Sequence, residues 1–301
     1  MSHADRDLPD PRAVRRAFGR AAATYDDAAV LQREVGARLA SRLDVVKLAP
    51  GTILDAGCGT GEAVRGLAAR YPGARVVAVD AAYPMVAAAR ARAAGGRSRL
   101  AKLLGPLALG APANAFACAD VAALPLAPGS VDLLWSNLVL QWVADLPRAF
   151  GECRRVLATG GLLMFSTFGP DTLRELREAF AGVDTHTHVS RFADMHDLGD
   201  MLVQAGFGDP VTEMEMITVT YATPGALLAE LKAIGATNQT LGRPRGLMGR
   251  RRHGALVAAL AALARDGRVP ATFEVVYGHA WKEAPTRTAE GLPIVKVERR
   301  R

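Results

Sequence analysis

The chain has 301 residues, half of them hydrophobic, and a formal net charge of +7. That much apolar material buries a large core in one or two domains. No window reaches the roughly 18 consecutive apolar residues of a membrane span, the charged start Met1–Arg16 lacks the apolar stretch of a secretion signal, and Cys58, Cys118 and Cys153 are odd in number without metal-ligand spacing, so the expectation is a soluble cytoplasmic protein with no disulfide framework.

In chain order, residues 11–43 read as helical and form a candidate lid. From Thr52 to Thr167 strands and helices alternate, as a doubly wound parallel sheet requires. The strands fall at 51–55, 75–80, 114–118, 131–136 and 161–167, the helices near 61–70, 83–94, 146–157 and 171–181. The stretch 95–112, rich in Gly with Arg97, Arg99 and Lys102 at its start, breaks this rhythm and reads as a surface insertion. Beyond the fifth strand come a helix over Met195–Ala205 ended by Gly206, an alternating strand over 211–221, two helices near 224–235 and 247–265, and a last strand over 272–279. The fold class is α/β, a Rossmann-like sheet of seven strands with a helical N-terminal segment and a helical insertion before the last strand. We take 1–282 as one domain: the lid at 11–43, a cofactor-binding core at 44–181, and a substrate-side half at 182–282 that includes the insertion 222–268. Residues 283–301 lack periodicity and read as a flexible tail.

The most informative run is Asp55-Ala-Gly57-Cys58-Gly59-Thr60-Gly61, where an apolar strand turns into a helix. Glycines at alternate positions permit positive φ and close approach of a ligand to the backbone. The spacing is tighter than the G-x-G-x-x-G of dinucleotide sites, and an acid stands where a phosphate would be unwelcome, which points to a cationic or zwitterionic ligand. Asp80 ends the next strand, 19 residues after Gly61, where an acid can accept both hydroxyls of a ribose. Cys58 reads as a filler of the turn rather than a nucleophile.

This combination resembles the S-adenosylmethionine site of class I methyltransferases. The resemblance implies cofactor contacts at Asp55, Gly57, Cys58, Gly59, Gly61, Asp80, Ala81, Met85, Asp120, Val121 and Asn137, with Asp120 and the following backbone N–H reading the adenine and Asn137 facing the sulfonium. Asp120 also suits a turn cap, and Trp135 suits the core. Three further stretches, Ala17–Asp26 with Leu31-Gln-Arg33, Trp135-Ser-Asn-Leu with Gln141-Trp142, and Leu231–Asn238, are similar to the malonyl-[acyl-carrier-protein] O-methyltransferase family over most of residues 12–282. That family begins the biotin pathway. The resemblance implies methyl transfer from S-adenosylmethionine, leaving S-adenosylhomocysteine, to the free carboxylate of malonyl-acyl carrier protein, with malonyl-CoA accepted less well and no metal.

The acceptor carboxylate is already ionised at neutral pH, so no strong general base is needed; a buried carboxylate needs a partner, and a guanidinium is the natural one. Arg191, whose family counterpart is an Arg-Phe pair, is the expected clamp, Tyr25 the expected hydrogen-bond donor beside the cofactor, and Gln141 and Trp142 the pocket walls. His186, His188 and His196 lack the companion ligands of a metal site. Between Leu231 and Arg265 stand seven Lys or Arg (Lys232, Arg243, Arg245, Arg250, Arg251, Arg252, Arg265) and no acid, a surface suited to an acidic carrier protein. Without interleaved aromatics the segment gives little support to nucleic-acid binding. Two other readings stay open at this point: an arginine-modifying enzyme like the respiratory complex I assembly factor, and a catalytically silent cofactor-binding scaffold.

Overall fold

A computed structural model describes residues 7–95, 113–244 and 246–284. The expected insertion at 95–112 and the tail at 283–301 thus fall almost entirely outside the described residues. Helix α1 (Pro11–Ala21) is followed by the short α2 (Tyr25–Ala28), α3 (Val30–Ser41) and a 3-10 turn at Arg42–Val45. The core then runs β1 (Thr52–Ala56), α4 (Glu62–Arg70), β2 (Arg75–Asp80), α5 (Tyr83–Gly95), β3 (Ala115–Cys118), β4 (Val131–Asn137), a 3-10 turn at Leu140–Trp142, α6 (Leu146–Val156), β5 (Leu157–Phe168) and α7 (Arg174–Ala181). It ends with α8 (Met195–Gln204), β6 (Gly208–Tyr221), α9 (Pro224–Ala233), α10 (Arg250–Ala262) and β7 (Val269–Trp281).

The seven strands form one sheet in the order β3-β2-β1-β4-β5-β7-β6. The first five pair in parallel, and β7 runs antiparallel between β5 and β6. Strand order reverses beside β1, so the carboxyl ends of β1 and β4 face a crevice, the place where ligands bind in such sheets. The central strands are buried on both faces, as covered parallel strands must be: Ile53, Leu133 and Trp135 pack with α3 and α4 on one side, and Leu54, Leu134 and Phe165 with Phe150, Leu198 and Leu202 on the other.

Helix starts follow capping chemistry. Asp10, Asp145, Asp194 and Thr223 each accept a backbone N–H from the first turn of the helix they precede. Strands β5, β6 and β7 are longer than the sequence suggests. Gly160-Gly161 reads as a break before the fifth strand, yet β5 begins at Leu157, because Gly160 N–H donates to Lys282 O (2.7 Å) and Lys282 N–H to Gly161 O (2.9 Å). Those same bonds extend the pairing around the end of β7.

The N-terminal segment is stitched to the insertion between β6 and β7. Asp10 N–H donates to Gln239 O (2.8 Å) and Leu241 N–H to Leu8 O (2.9 Å). Asp10 also faces Arg243 Nη2 at 3.1 Å, and the Thr24 hydroxyl donates to Ala233 O (3.0 Å).

Candidate active site

Gly57, Gly59 and Gly61 adopt φ of +82°, +52° and +83°, the left-handed backbone a side chain resists. Each serves a different neighbour. A Cβ on Gly57 would lie 2.2 Å from Val139 Cγ2, and one on Gly61 2.9 Å from Ala89 Cβ, whereas one on Gly59 would meet only Tyr25 Cε1 at 3.9 Å. Gly57 therefore lets β4's following turn close in, Gly61 lets α5 pack, and Gly59 presents open backbone. The N–H groups of Gly57 and Cys58 donate to Val79 O (2.8 and 2.9 Å), and Asp80 receives Gly59 N–H on Oδ2 (3.0 Å) and Ala82 N–H on Oδ1 (2.8 Å).

Two acids stand at this turn, Asp55 buried and Asp80 half-buried, and neither forms an ion pair with a described residue. Asp55 is 2% exposed, and its Oδ2 has no hydrogen-bond partner. Burial, followed by the Asp80 charge, pushes its carboxyl up to about 7. Burial also raises Asp80, against the opposing hydrogen bonds from Ala82 and Gly59. A site that holds two desolvated carboxylates without a cation suits a positively charged ligand and disfavours a pyrophosphate. Burial, with Asp55 and Asp80 nearby, likewise raises the Cys58 thiol, which stays protonated.

Three cavities meet here. The first, about 280 Å³, is lined by Gly57, Gly59, Asp80, Ala81, Met85, Asp120, Val121 and Asn137 and roofed by Pro11, Val14, Arg15 and Phe18 of α1. The second, about 330 Å³, lies along the other side of the loop, with Asp55, Cys58, Gly59, Thr60, Gln32 and Arg33 on its walls. The third, about 320 Å³, is predominantly apolar and runs beneath the insertion, lined by Phe168, Leu176, Phe180, Leu228, Leu231 and Phe273 among others. Tyr25 lines all three. Its hydroxyl keeps its proton, because burial first, then the charges of Asp80 and Asp26, push its pKa up.

Gly61, an expected cofactor contact, lines none of the three cavities because it is packed against Ala89 of α5; the other expected site residues fall on these walls, with one exception. Asp120 both lines the first cavity and caps a turn, accepting Ala122 N–H (2.9 Å). Asn137 is committed to the scaffold, donating to Gln32 O (2.9 Å) and accepting from the Ser166 hydroxyl (2.7 Å). Gln141 is buried in the wall of the third cavity, donating to Leu138 O (2.8 Å) and accepting from Thr167 (3.2 Å). Trp142 stands between the first and third cavities and meets Phe18 edge to face, with centroids 5.2 Å apart. The exception is Arg191: its side chain is 83% exposed and 3.3 Å from Asp7. His188, Val189, Ser190 and Phe192 all line the third cavity, while Arg191 turns to solvent.

Sequence reasoning passed over two wall residues. Leu138 follows β4 at φ +53°, held by hydrogen bonds from its N–H to the carbonyl and hydroxyl of Ser166 (3.0 Å each); no local pattern marks such backbone strain. Gln32 lines the second and third cavities with a buried Oε1 that has no partner. Among the described residues no group of three or more His, Cys, Asp or Glu could hold a metal, and no described helix is long and apolar enough to cross a membrane.

Sheet order, glycine turn and crevice define a class I methyltransferase. Residues 54–165 match a family model described as a methyltransferase domain. The malonyl-[acyl-carrier protein] O-methyltransferase of Gallionella capsiferriformans is 53% identical over 96% of both chains, and that of a Methylovorus species is 50% identical over 99% of this chain and 98% of its own. The chain belongs to the malonyl-[acyl-carrier protein] O-methyltransferase family. Among solved structures, a putative methyltransferase of Bacillus halodurans shares the fold at 17% identity with a TM-score of 0.55, covering 83% of this chain and 99% of that one. The YcgJ protein of Bacillus subtilis shares it at 14% identity with a TM-score of 0.54, covering 82% and 98%.

Proposed function

We propose that this chain transfers a methyl group from S-adenosylmethionine to the free carboxylate of a malonyl group borne on acyl carrier protein, with malonyl-CoA a poorer acceptor. The observation that carries this reading is that an acid-lined cavity and an apolar cavity share Phe18, Tyr25, Leu138 and Trp142 as walls, so a charged nucleoside and an acyl chain can meet there. When bound, the cofactor supplies an electrophilic methyl group on a sulfonium. Asp80 would accept the ribose hydroxyls, Asp120 and the Val121 N–H would hold the adenine between Ala81 and Met85, and Asp55 with the open backbone at Gly59 would face the cationic methionine end.

The acceptor has no proton to lose, so the protein's work is alignment and exclusion of water. Tyr25, kept as a phenol, donates a hydrogen bond and does not act as a base. Phe18 and Trp142 close the junction against solvent.

An acidic carrier would approach a basic rim. Arg12, Arg15, Arg16 and Arg20 are all exposed on α1, and Arg250 and Arg251 are exposed on α10. The segment 231–265 is less available than its composition suggests. Arg243 faces Asp10, Arg252 faces Asp184, and Arg245 lies outside the described residues. Product ester, now neutral, would suit apolar chain-elongation pockets that reject a charged end.

The test is methyl transfer from labelled S-adenosylmethionine to malonyl-acyl carrier protein, acetyl-acyl carrier protein and malonyl-CoA. Ester should form on the malonyl acceptors only, faster on the carrier. Cofactor binding without transfer to any malonyl thioester would overturn the assignment and leave the silent scaffold.

A further inference from the structure

The third cavity, taken above as the acyl site, has one basic side chain on its described wall, and it is not Arg191. His188 is 9% exposed and stacks on Phe180 with centroids 3.6 Å apart and rings 6° from parallel. Its Nε2 lies 2.8 Å from Asp184 Oδ1. The stack fixes the plane of the imidazole, and the carboxylate fixes which nitrogen is committed. No described residue hydrogen-bonds Nδ1.

Asp184 is itself shared. Its Oδ1 also accepts His186 N–H (2.9 Å), and its Oδ2 faces Arg252 Nη1 at 3.5 Å. Asp184 is therefore divided between His188 and Arg252, and its charge is not committed to His188 alone. Asp7, the other acid near this turn, is occupied by the Thr187 hydroxyl (2.8 Å) and Arg191.

A carboxylate entering walls made of Phe168, Leu176, Phe180 and Leu231 loses its water and needs a counter-charge. We propose that His188, oriented by Asp184, binds the malonyl carboxylate and selects a carboxylated acyl group over a neutral one. The inference rests on the acyl-carboxylate reading above. Methylation removes the anion, so the ester loses this partner while the apolar walls still fit it, which favours release of product over rebinding.

The experiment compares His188→Phe, which keeps a ring against Phe180 but cannot pair an anion, with His188→Gln, each checked for folding by circular dichroism. The KM for malonyl-acyl carrier protein should rise at least tenfold in both, with S-adenosylhomocysteine affinity unchanged by calorimetry. Wild-type preference for malonyl-CoA over acetyl-CoA as a competing ligand should collapse toward unity. Folded variants with KM within twofold of wild type would overturn the proposal, and so would equal weakening of malonyl-CoA and acetyl-CoA, the mark of a merely structural ring. A wild-type chain inert toward malonyl thioesters would instead overturn the functional reading itself.

Discussion

The first and third cavities share walls yet are built by opposite means. The floor of the first is made at the carboxyl ends of β1, β2, β3 and β4, from turns that are each local in sequence, and its character is charge: Asp80 and Asp120 on the wall and a backbone left open by glycine. The third draws Phe18, Trp142, His188, Leu231 and Phe273 from segments far apart in the chain, and its character is apolar surface with a single basic group among the described residues. A charged nucleoside can be held by a short motif, whereas an acyl chain is held by whatever the fold brings together.

Four measurements put that contrast to the test. The largest effect is expected at Gly57→Ala, where a positive φ and a Cβ 2.2 Å from Val139 Cγ2 together cost about 2–5 kcal/mol of stability. Thermal denaturation should show a drop of many degrees. Gly59→Ala, with open space beside it, should lower the melting temperature far less, so equal drops would mean that the turn is not packed as described. Next, Asp80→Ala should weaken S-adenosylmethionine binding by about 1.5–3 kcal/mol, roughly 10- to 150-fold in a calorimetric titration, while affinity for a malonyl thioester analogue stays the same.

The third uses pH. With Asp55 titrating at about 7 in the ligand-free protein, the cation meets a neutral carboxyl in acid, so affinity for S-adenosylmethionine should fall about tenfold per pH unit below that point and level off above it. Asp55→Asn should flatten this dependence. The sign for stability is opposite: the folded state holds a proton on Asp55 that the unfolded chain has released, so ligand-free stability should decline as pH rises from about 4 to about 7. The smallest effect is expected at Arg191→Ala, since an exposed ion pair with Asp7 contributes about 0–1 kcal/mol. Turnover with malonyl-acyl carrier protein should change less than threefold; a loss of orders of magnitude would put Arg191 back in the acyl cavity.

The same contrast explains what the sequence made legible. Sheet, helices and the cofactor turn could be read because Asp55, Gly57, Gly59, Gly61 and Asp80 lie on successive strand ends, where spacing alone dictates geometry. The helical elaboration between the last two strands could be read from strand and helix periodicity. Arg191 suits a carboxylate by charge type, but orientation in the irregular stretch 188–192 is decided by packing against Phe168 and Phe180, which carries no local signature. His188 was weighed only as a metal ligand, since its partner Asp184 and its stacking ring Phe180 gain meaning once the turn brings them together. Leu138 and the orphaned Gln32 Oε1 similarly depend on a junction no single segment contains.

The stitching of the N-terminal segment to the insertion also bears on the order of events in a catalytic cycle. The α1 side chains that roof the first cavity and the 231–238 residues that wall the third are joined by backbone bonds at Asp10–Gln239 and Leu8–Leu241 and by the Asp10–Arg243 pair. Lifting either cover means breaking bonds that anchor the other. On the function proposed above, exchange of spent cofactor and departure of the ester would be tied to one opening event, and water would be shut out of both compartments together.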